Sequence, residues 1–175
     1  MKPGGIVLSL AVVFLTEAAS FGVPETLILY DVTDLGSQRW QCTYDVVNIS
    51  LPEPVGAFTI WFDFDLYDNL TVTTLDPPAA EWHEVFWQPN VVLQQDGGYY
   101  ASALTSGVGI GQTVGGFTIN FDWLGSGEPG SQFYEIIDPH TFETIDSGLT
   151  VPEPITIAWF GFGLLILRQR RESFL

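Results

Sequence analysis

Apolar and polar residues alternate along much of the chain. In residues 58–66 every even-numbered position is apolar, while the odd-numbered positions hold threonine, tryptophan and two aspartates. A period of two places successive side chains on opposite faces of a strand, whereas a helix would scatter these aromatics around its circumference. The same alternation returns in residues 117–123. Both segments are therefore predicted to be half-buried strands.

The two segments also share the pattern Phe-Thr-Ile-X-Phe-Asp, which begins at Phe58 and again at Phe117. The repeat suggests equivalent strands in two halves of a sandwich. So short a match also arises by convergence, because strands favour the same residue types. Both interpretations stay open at the level of sequence.

Further apolar-rich runs lie between turn-forming clusters such as Asp76-Pro77-Pro78 and Asp96-Gly97-Gly98. They cover residues 26–32, 40–48, 70–75, 84–87, 91–95, 99–104 and 133–137. No stretch between the two ends of the chain has helical periodicity. Short strands with apolar-in, polar-out patterning predict an all-β fold, an antiparallel β-sandwich with Greek-key connections.

The first residues have the layout of a secretory signal peptide. Lys2 precedes an apolar stretch over residues 6–15, and the small residues Ala18, Ala19 and Ser20 follow. Cleavage after Ser20 or after Gly22 would satisfy the small-residue requirement, and an uncleaved anchor is the alternative. We therefore predict that residues 1–22 direct export through the Sec translocon.

The last residues combine a proline-bracketed glutamate, an unbroken apolar run over residues 155–167 and a basic cluster. As a single helix the apolar run spans about 20 Å, short of the roughly 30 Å hydrocarbon core of a bilayer, and residues 151–154 bring it near the minimum length. The positive-inside bias would hold the basic cluster in the cytoplasm, where it stops translocation. An ordinary membrane anchor or a buried hairpin is the alternative. The residues concerned are Val151, Pro152, Glu153 and Pro154, then Arg168, Arg170 and Arg171.

This tripartite tail resembles the PEP-CTERM sorting signal of Gram-negative bacteria. The resemblance rests on residues 151–154, on Thr156, on the small residues Gly161 and Gly163 in the apolar run, and on the closing arginines. It implies that an exosortase, a membrane-embedded cysteine transpeptidase, reads the Pro-Glu-Pro motif and cuts near it. The protein would stay in the inner membrane transiently and then reach the cell surface or the extracellular matrix.

These assignments divide the chain into a signal peptide (1–22), a β-sandwich ectodomain (23–149) and a sorting signal with a single hydrophobic helix (150–175). Of the 21 acidic residues only Glu17, Glu153 and Glu172 lie outside the ectodomain, and of the 5 Lys and Arg residues only Arg39 lies inside it. Such an acidic surface repels phosphate backbones and lacks the cations that supply nucleic-acid affinity. No nucleic-acid partner is therefore expected.

Cys42 is the single cysteine, so an internal disulfide cannot form even though export would permit one. It alternates with Trp40, Tyr44 and Val46 on one face of a predicted strand. Cross-linking or reactivity is one use of a lone exported cysteine. The apolar neighbours favour a different role for Cys42, that of a small buried core residue.

Catalytic motifs are scarce. His83-Glu84 begins like the zinc-protease motif, but position 87 is tryptophan instead of the second histidine. His83 and His140 are the two histidines, and neither lies near a nucleophile elbow such as Gly-X-Ser-X-Gly. The ectodomain is predicted to be noncatalytic, with a secreted hydrolase as the weaker alternative.

Asp63, Asp65 and Asp68 are the candidates for a metal site. On a strand, Asp63 and Asp65 project to the same side, and Asp68 starts the following turn, so their oxygens are a weak Ca²⁺ candidate. The twelve-residue calcium loop is missing from the chain. A solvated acidic face is the preferred interpretation, and no cofactor is expected.

Trp61 points to the face opposite the phenylalanines of its strand and is a candidate saccharide contact, with Trp82 and Trp87 as further candidates. The preferred interpretation is that Trp61 packs beneath a neighbouring loop or strand. The sequence as a whole predicts an exported, noncatalytic surface or matrix protein sorted by an exosortase. A carbohydrate-binding module of an extracellular polysaccharide matrix is the alternative function.

Overall fold

Two β-sheets form the part of the chain that the computed structural model describes, residues 24–153. The predicted signal peptide, Pro154, the apolar run and the three C-terminal arginines lie outside the described residues. Within residues 24–153 no helix is both long and apolar enough to cross a bilayer.

Ten strands and one short helix make up the described region. They are β1 Thr26–Gly36, β2 Arg39–Asn48, β3 Ala57–Phe62, β4 Tyr67–Val72, α1 Pro78–Glu81, β5 Trp82–Trp87, β6 Gly97–Ala103, β7 Thr113–Trp123, β8 Phe133–Ile137, β9 Thr144–Leu149 and β10 Val151–Pro152. The first sheet has the order β10-β1-β2-β7-β4, and the second has the order β5-β6-β3-β8-β9. All neighbours are antiparallel except β1 and β10. The predicted all-β class and two-sheet architecture are confirmed.

The repeated hexapeptides lie on opposite sides of the core. β3 is central in the second sheet and β7 lies between β2 and β4 in the first. The ring centroids of Phe58 and Phe117 are 5.0 Å apart, and those of Phe62 and Phe121 are 6.0 Å apart. Each phenylalanine of one copy therefore packs against its counterpart in the other, and all four are fully buried.

Two predicted strands differ from the structure, and three elements were not predicted. Residues 91–94 form a tight turn closed by the Asn90–Gln95 bridge, so the strand predicted over 91–95 is not formed. β3 ends at Phe62, because the Asp63 carbonyl accepts the N–H groups of Leu66 and Tyr67 and turns the chain toward β4. The sequence also missed β9, β10 and the single turn of α1.

The Cys42 prediction is confirmed. Its side chain is fully buried in the core between the sheets, beside Tyr44 and Val46. Burial raises the pKa of the thiol from 9.0 to about 12, and Asp31 and Glu128 add to the rise. A neutral, inaccessible thiol acts as a small apolar core residue.

Candidate functional site

An aromatic notch lies on the outer face of the second sheet. In the register of β3, β6 and β5, Gly98 lies between Trp61 and Trp87. A Cβ atom at Gly98 would fall 2.0 Å from the Trp87 ring, so the missing side chain makes room for that indole to lie over the sheet. The Trp61 and Trp87 rings meet at 74° with centroids 5.5 Å apart. Trp87 forms a floor and Trp61 forms a wall.

Hydrogen bonds fix both indoles of the notch. Trp61 Nε1 donates to Glu135 Oε2 at 2.8 Å, and Glu135 Oε1 accepts from the Thr144 hydroxyl at 2.9 Å. Trp87 Nε1 donates to the Asp96 carbonyl oxygen at 3.2 Å. Both ring N–H groups therefore have partners, and Trp87 still exposes 37% of its surface. A fixed, partly exposed indole offers apolar area to a ligand at low conformational cost.

A cleft of about 400 Å³ adjoins Trp61 at the end of the sandwich. It is open to solvent, and its volume falls in the range of roughly 300–1,000 Å³ that small-molecule sites occupy. Aromatic and polar groups share its walls. They include Trp61, Asp63, Asp96, Trp123, Gln132 and Phe133.

Two carboxylates line this cleft and are oriented by backbone groups. Asp63 Oδ1 accepts from the Asp65 N–H at 2.8 Å, and Asp96 Oδ1 accepts from the Phe64 N–H at 3.1 Å. The other oxygen of each carboxylate has no hydrogen bond within residues 24–153. Neither carboxylate is paired with a cation there, since Arg39 is the one Lys or Arg of that region and bonds Asp122 at 2.9 Å.

Deeper in the cleft wall, Tyr67 and Trp123 pack against each other with centroids 5.0 Å apart. The Tyr67 hydroxyl accepts a hydrogen bond from Gln132 Nε2 at 3.0 Å. Burial raises the pKa of Tyr67 to about 12, although the hydrogen bond from Gln132 opposes the rise. Trp123 is 8% exposed, and its Nε1–H has no acceptor among the described residues. This buried donor is an unused hydrogen-bonding group beside the cleft.

The saccharide candidates of the sequence separate in the structure. Trp61 and Trp87 meet in the notch. Trp82 is buried in the core against Phe58 and Phe117, so the prediction that Trp82 contacts a saccharide is wrong. The expectation that Trp61 packs against a neighbour also holds, because it is half-buried against Trp87. The cleft also contains Asp96 and Phe133, which were not predicted as site residues. Asp96 belongs to the Asp96-Gly97-Gly98 turn cluster and Phe133 begins an apolar run, so neither residue carries a local signal for a site.

The three candidate calcium ligands do not gather. β3 ends at Phe62, so Asp63 and Asp65 lie in the turn after the strand and not side by side on it. Asp68 lies at the edge strand β4, opposite Asp122. Within residues 24–153 no group of three or more His, Cys, Asp or Glu side chains is arranged to hold a metal ion.

The described part of the predicted sorting signal continues directly from the folded region. Thr150 is buried and locked to Gln132 by backbone and hydroxyl hydrogen bonds of 2.8 to 3.0 Å. Val151 and Pro152 then form β10, parallel to β1, and the Glu153 N–H donates to the Tyr30 carbonyl at 2.9 Å. Burial, with the charges of Asp45 and Asp31, raises the pKa of Glu153.

The two histidines lie apart from the notch. His83 is exposed on β5 opposite Ser102, and His140 is exposed in the turn after β8. In the part of the chain that is described, neither imidazole forms a hydrogen bond to a hydroxyl or a carboxylate. The hydrogen bonds that the backbone N–H groups of His140 and Thr141 donate to Asp138 lower the pKa of that carboxyl.

Comparisons with known proteins leave the family open. No family model and no curated protein matches the chain. Two similar solved structures are a GH20 exo β-N-acetylglucosaminidase from Vibrio harveyi with N-acetylglucosamine (9% identity, TM-score 0.35) and an inactive mutant of it (9%, TM-score 0.37). Each alignment covers 74% of this chain but 18% of the enzyme.

A third similar structure is a type I cohesin–dockerin complex from Clostridium thermocellum. It has 13% identity and a TM-score of 0.34, and the alignment covers 73% of this chain and 99% of that one. All three likenesses are too distant to support a function.

Proposed function

We propose that the chain is an exported, noncatalytic protein of the cell surface or extracellular matrix, sorted through its C-terminal PEP-CTERM signal by an exosortase. The order of Pro-Glu-Pro, apolar run and arginines is the observation that carries the proposal. The anchor at Thr150 supports it, because it brings the motif to the surface immediately after the folded domain. A membrane enzyme could reach a motif in that position.

The short pairing of β10 is compatible with processing. Two register pairs and the hydrogen bond from Glu153 to Tyr30 hold this segment on β1. Val151 and Pro152 are exposed. An enzyme that binds the motif as an extended peptide would therefore displace few native contacts.

The variant Glu153→Ala tests the sorting function. We expect it to block processing, so that the precursor accumulates in the inner membrane and release to the surface or medium falls at least about tenfold, as for loss of a central recognition group. Cell fractionation followed by immunoblotting measures both pools. Glu143→Ala, an exposed glutamate in the turn before β9, is the matched control and should be processed normally. Normal release of the Glu153 variant would contradict the proposal.

The second candidate function is saccharide binding at the aromatic notch. The right-angled contact of Trp61 and Trp87 favours it, because an exposed indole face beside an aromatic wall fits the flat apolar face of a sugar ring. Phe133, 45% exposed, lengthens the aromatic surface at the cleft. Such a site would hold the sorted protein within an extracellular polysaccharide matrix.

Removing either indole should weaken saccharide binding. We expect Trp61→Ala and Trp87→Ala each to lower the affinity for a matrix polysaccharide at least about tenfold, because each ring supplies central contact area. Affinity electrophoresis through gels containing purified matrix polysaccharide measures the loss. Phe142→Ala, which removes a 72% exposed aromatic from the turn between β8 and β9, outside the residues that line the notch and the cleft, is the control and should migrate like the wild type. Lack of retardation of the wild type by every matrix polysaccharide would reject this function.

A further inference from the structure

The charges around the notch indicate which chemical class of saccharide binds there. The inference rests on the second candidate function and concerns the same site. Asp63 and Asp96 both line the cleft beside Trp61, and the Asp96 carboxylate accepts the N–H of Phe64, the residue that follows Asp63. Both side chains are exposed, so a ligand can reach them.

The negative charge at the cleft has no internal counterion among the described residues. Arg39 is held by Asp122, by the Asn69 carbonyl at 2.8 Å and by the Thr71 hydroxyl at 2.7 Å. The whole chain carries a formal net charge of −16, so the field of the protein adds to that of the two carboxylates. A uronate or sulfate group would be repelled, whereas an ammonium group would be attracted.

Acceptor groups along the cleft suit the ammonium group of an amino sugar. The free oxygens of Asp63 and Asp96 can accept from an ammonium or a hydroxyl, and carboxylate–ammonium hydrogen bonds are the stronger kind. The cleft therefore combines acceptors for a cationic group with apolar walls.

We propose that the notch and cleft bind a polysaccharide containing unsubstituted amino sugars. One ring stacks on Trp87 against Trp61, and an ammonium group of the neighbouring sugar lies between Asp63 and Asp96. The aromatic pair supplies contact area, and the two carboxylates select cationic over neutral and anionic chains. In small-molecule sites apolar walls likewise supply most of the contact area, and a few polar groups fix orientation and specificity.

Isothermal titration of the exported protein, purified from the producing cells, tests this selectivity with three probes of equal length. The probes are hexamers of glucosamine, N-acetylglucosamine and galacturonic acid. We expect one-to-one binding in the order glucosamine, then N-acetylglucosamine, with no binding of the galacturonate. The double variant Asp63→Asn/Asp96→Asn should lose about tenfold in affinity for glucosamine hexamer and little for the N-acetylated one. Asparagine still accepts the two backbone N–H bonds, so the fold is kept.

A control removes the same charge elsewhere. Glu53→Gln/Glu143→Gln changes two exposed carboxylates outside this cleft and should keep the preference for glucosamine. An equal loss in both double variants would show general attraction of a polycation and overturn the inference. Equal affinity for the glucosamine and N-acetylglucosamine hexamers would also overturn the inference, but it would leave the proposed saccharide function standing. Lack of binding of every probe and of matrix polysaccharide would reject the saccharide function itself.

Discussion

Replacing Asn48 by aspartate is expected to destabilise the folded protein by about 3–5 kcal/mol, the cost of an uncompensated buried charge. Asn48 is fully buried at the end of β2. Its Nδ2 group donates toward the carbonyl oxygens of Leu51, Glu53 and Val108 at 3.0 to 3.2 Å. A carboxylate would turn an acceptor toward those three acceptors and leave them without a donor. Urea unfolding followed by tryptophan fluorescence measures the change in the free energy of unfolding.

Two further variants make the Asn48 result interpretable. Asn48→Leu removes the donor without adding charge and should cost less, about 1–3 kcal/mol for the unsatisfied carbonyls. Asn90→Asp is the matched control, because Asn90 is exposed and its Oδ1 accepts the Leu93 N–H, which a carboxylate can also do. It should change stability by less than about 0.5 kcal/mol. Equal stabilities of the Asn48→Asp and Asn90→Asp variants would contradict the described network.

Cys42 should be alkylated very slowly in the folded protein and much faster in the unfolded chain. The rise of its pKa from 9.0 to about 12 lowers the thiolate fraction near pH 8 by about 1,000-fold, and burial blocks access as well. The rates of labelling with iodoacetamide in native buffer and in a denaturing concentration of urea, read by mass spectrometry, should differ by about that factor. Ser106→Cys in a Cys42→Ala background supplies an exposed reference thiol that labels in both states.

The same pKa shift gives a pH dependence with a definite sign. The folded-state pKa is raised, so the contribution of the thiol to stability is complete below pH 9.0 and is lost as the pH rises toward about 12. A Cys42→Ala variant should therefore lose less stability than the wild type over this interval. Rapid labelling of Cys42 in the native protein at pH 8 would show that the thiol is accessible and would contradict its core position.

Much of the fold could be predicted because the alternation of apolar and polar residues in the central strands shows which side chains face the core. Phe58 and Phe117 head two alternating segments, and the structure places these segments face to face. Alternation failed where local turn chemistry controls the chain. Residues 91–93 are apolar, yet Asn90 accepts the Leu93 N–H and the turn leaves Val92 90% exposed.

Strands whose positions depend on contacts with residues far away in the sequence could not be predicted either. β9 has little alternation, and its position depends on Asp146, which accepts hydrogen bonds from the N–H and the hydroxyl of Thr26 at 3.0 and 2.6 Å. β10 depends on its pairing with β1. A contact between residues 120 positions apart has no signature in a local window.

The candidate site was predictable only in part for the same reason. Trp61 could be identified as an outward aromatic from its strand alone. Its partnership with Trp87 required the register that places Gly98 between them, and the cleft required Asp96 from another loop. Trp82 and Trp87 looked alike in sequence, but they lie on opposite faces of β5.

Sorting of the chain by an exosortase is most directly tested by mass spectrometry of the mature C-terminus, in cells with and without the enzyme. We predict a C-terminus within or beside residues 151–154 when the exosortase is present, and a chain that ends at Leu175 when the enzyme is deleted. An intact Leu175 in both strains would contradict it.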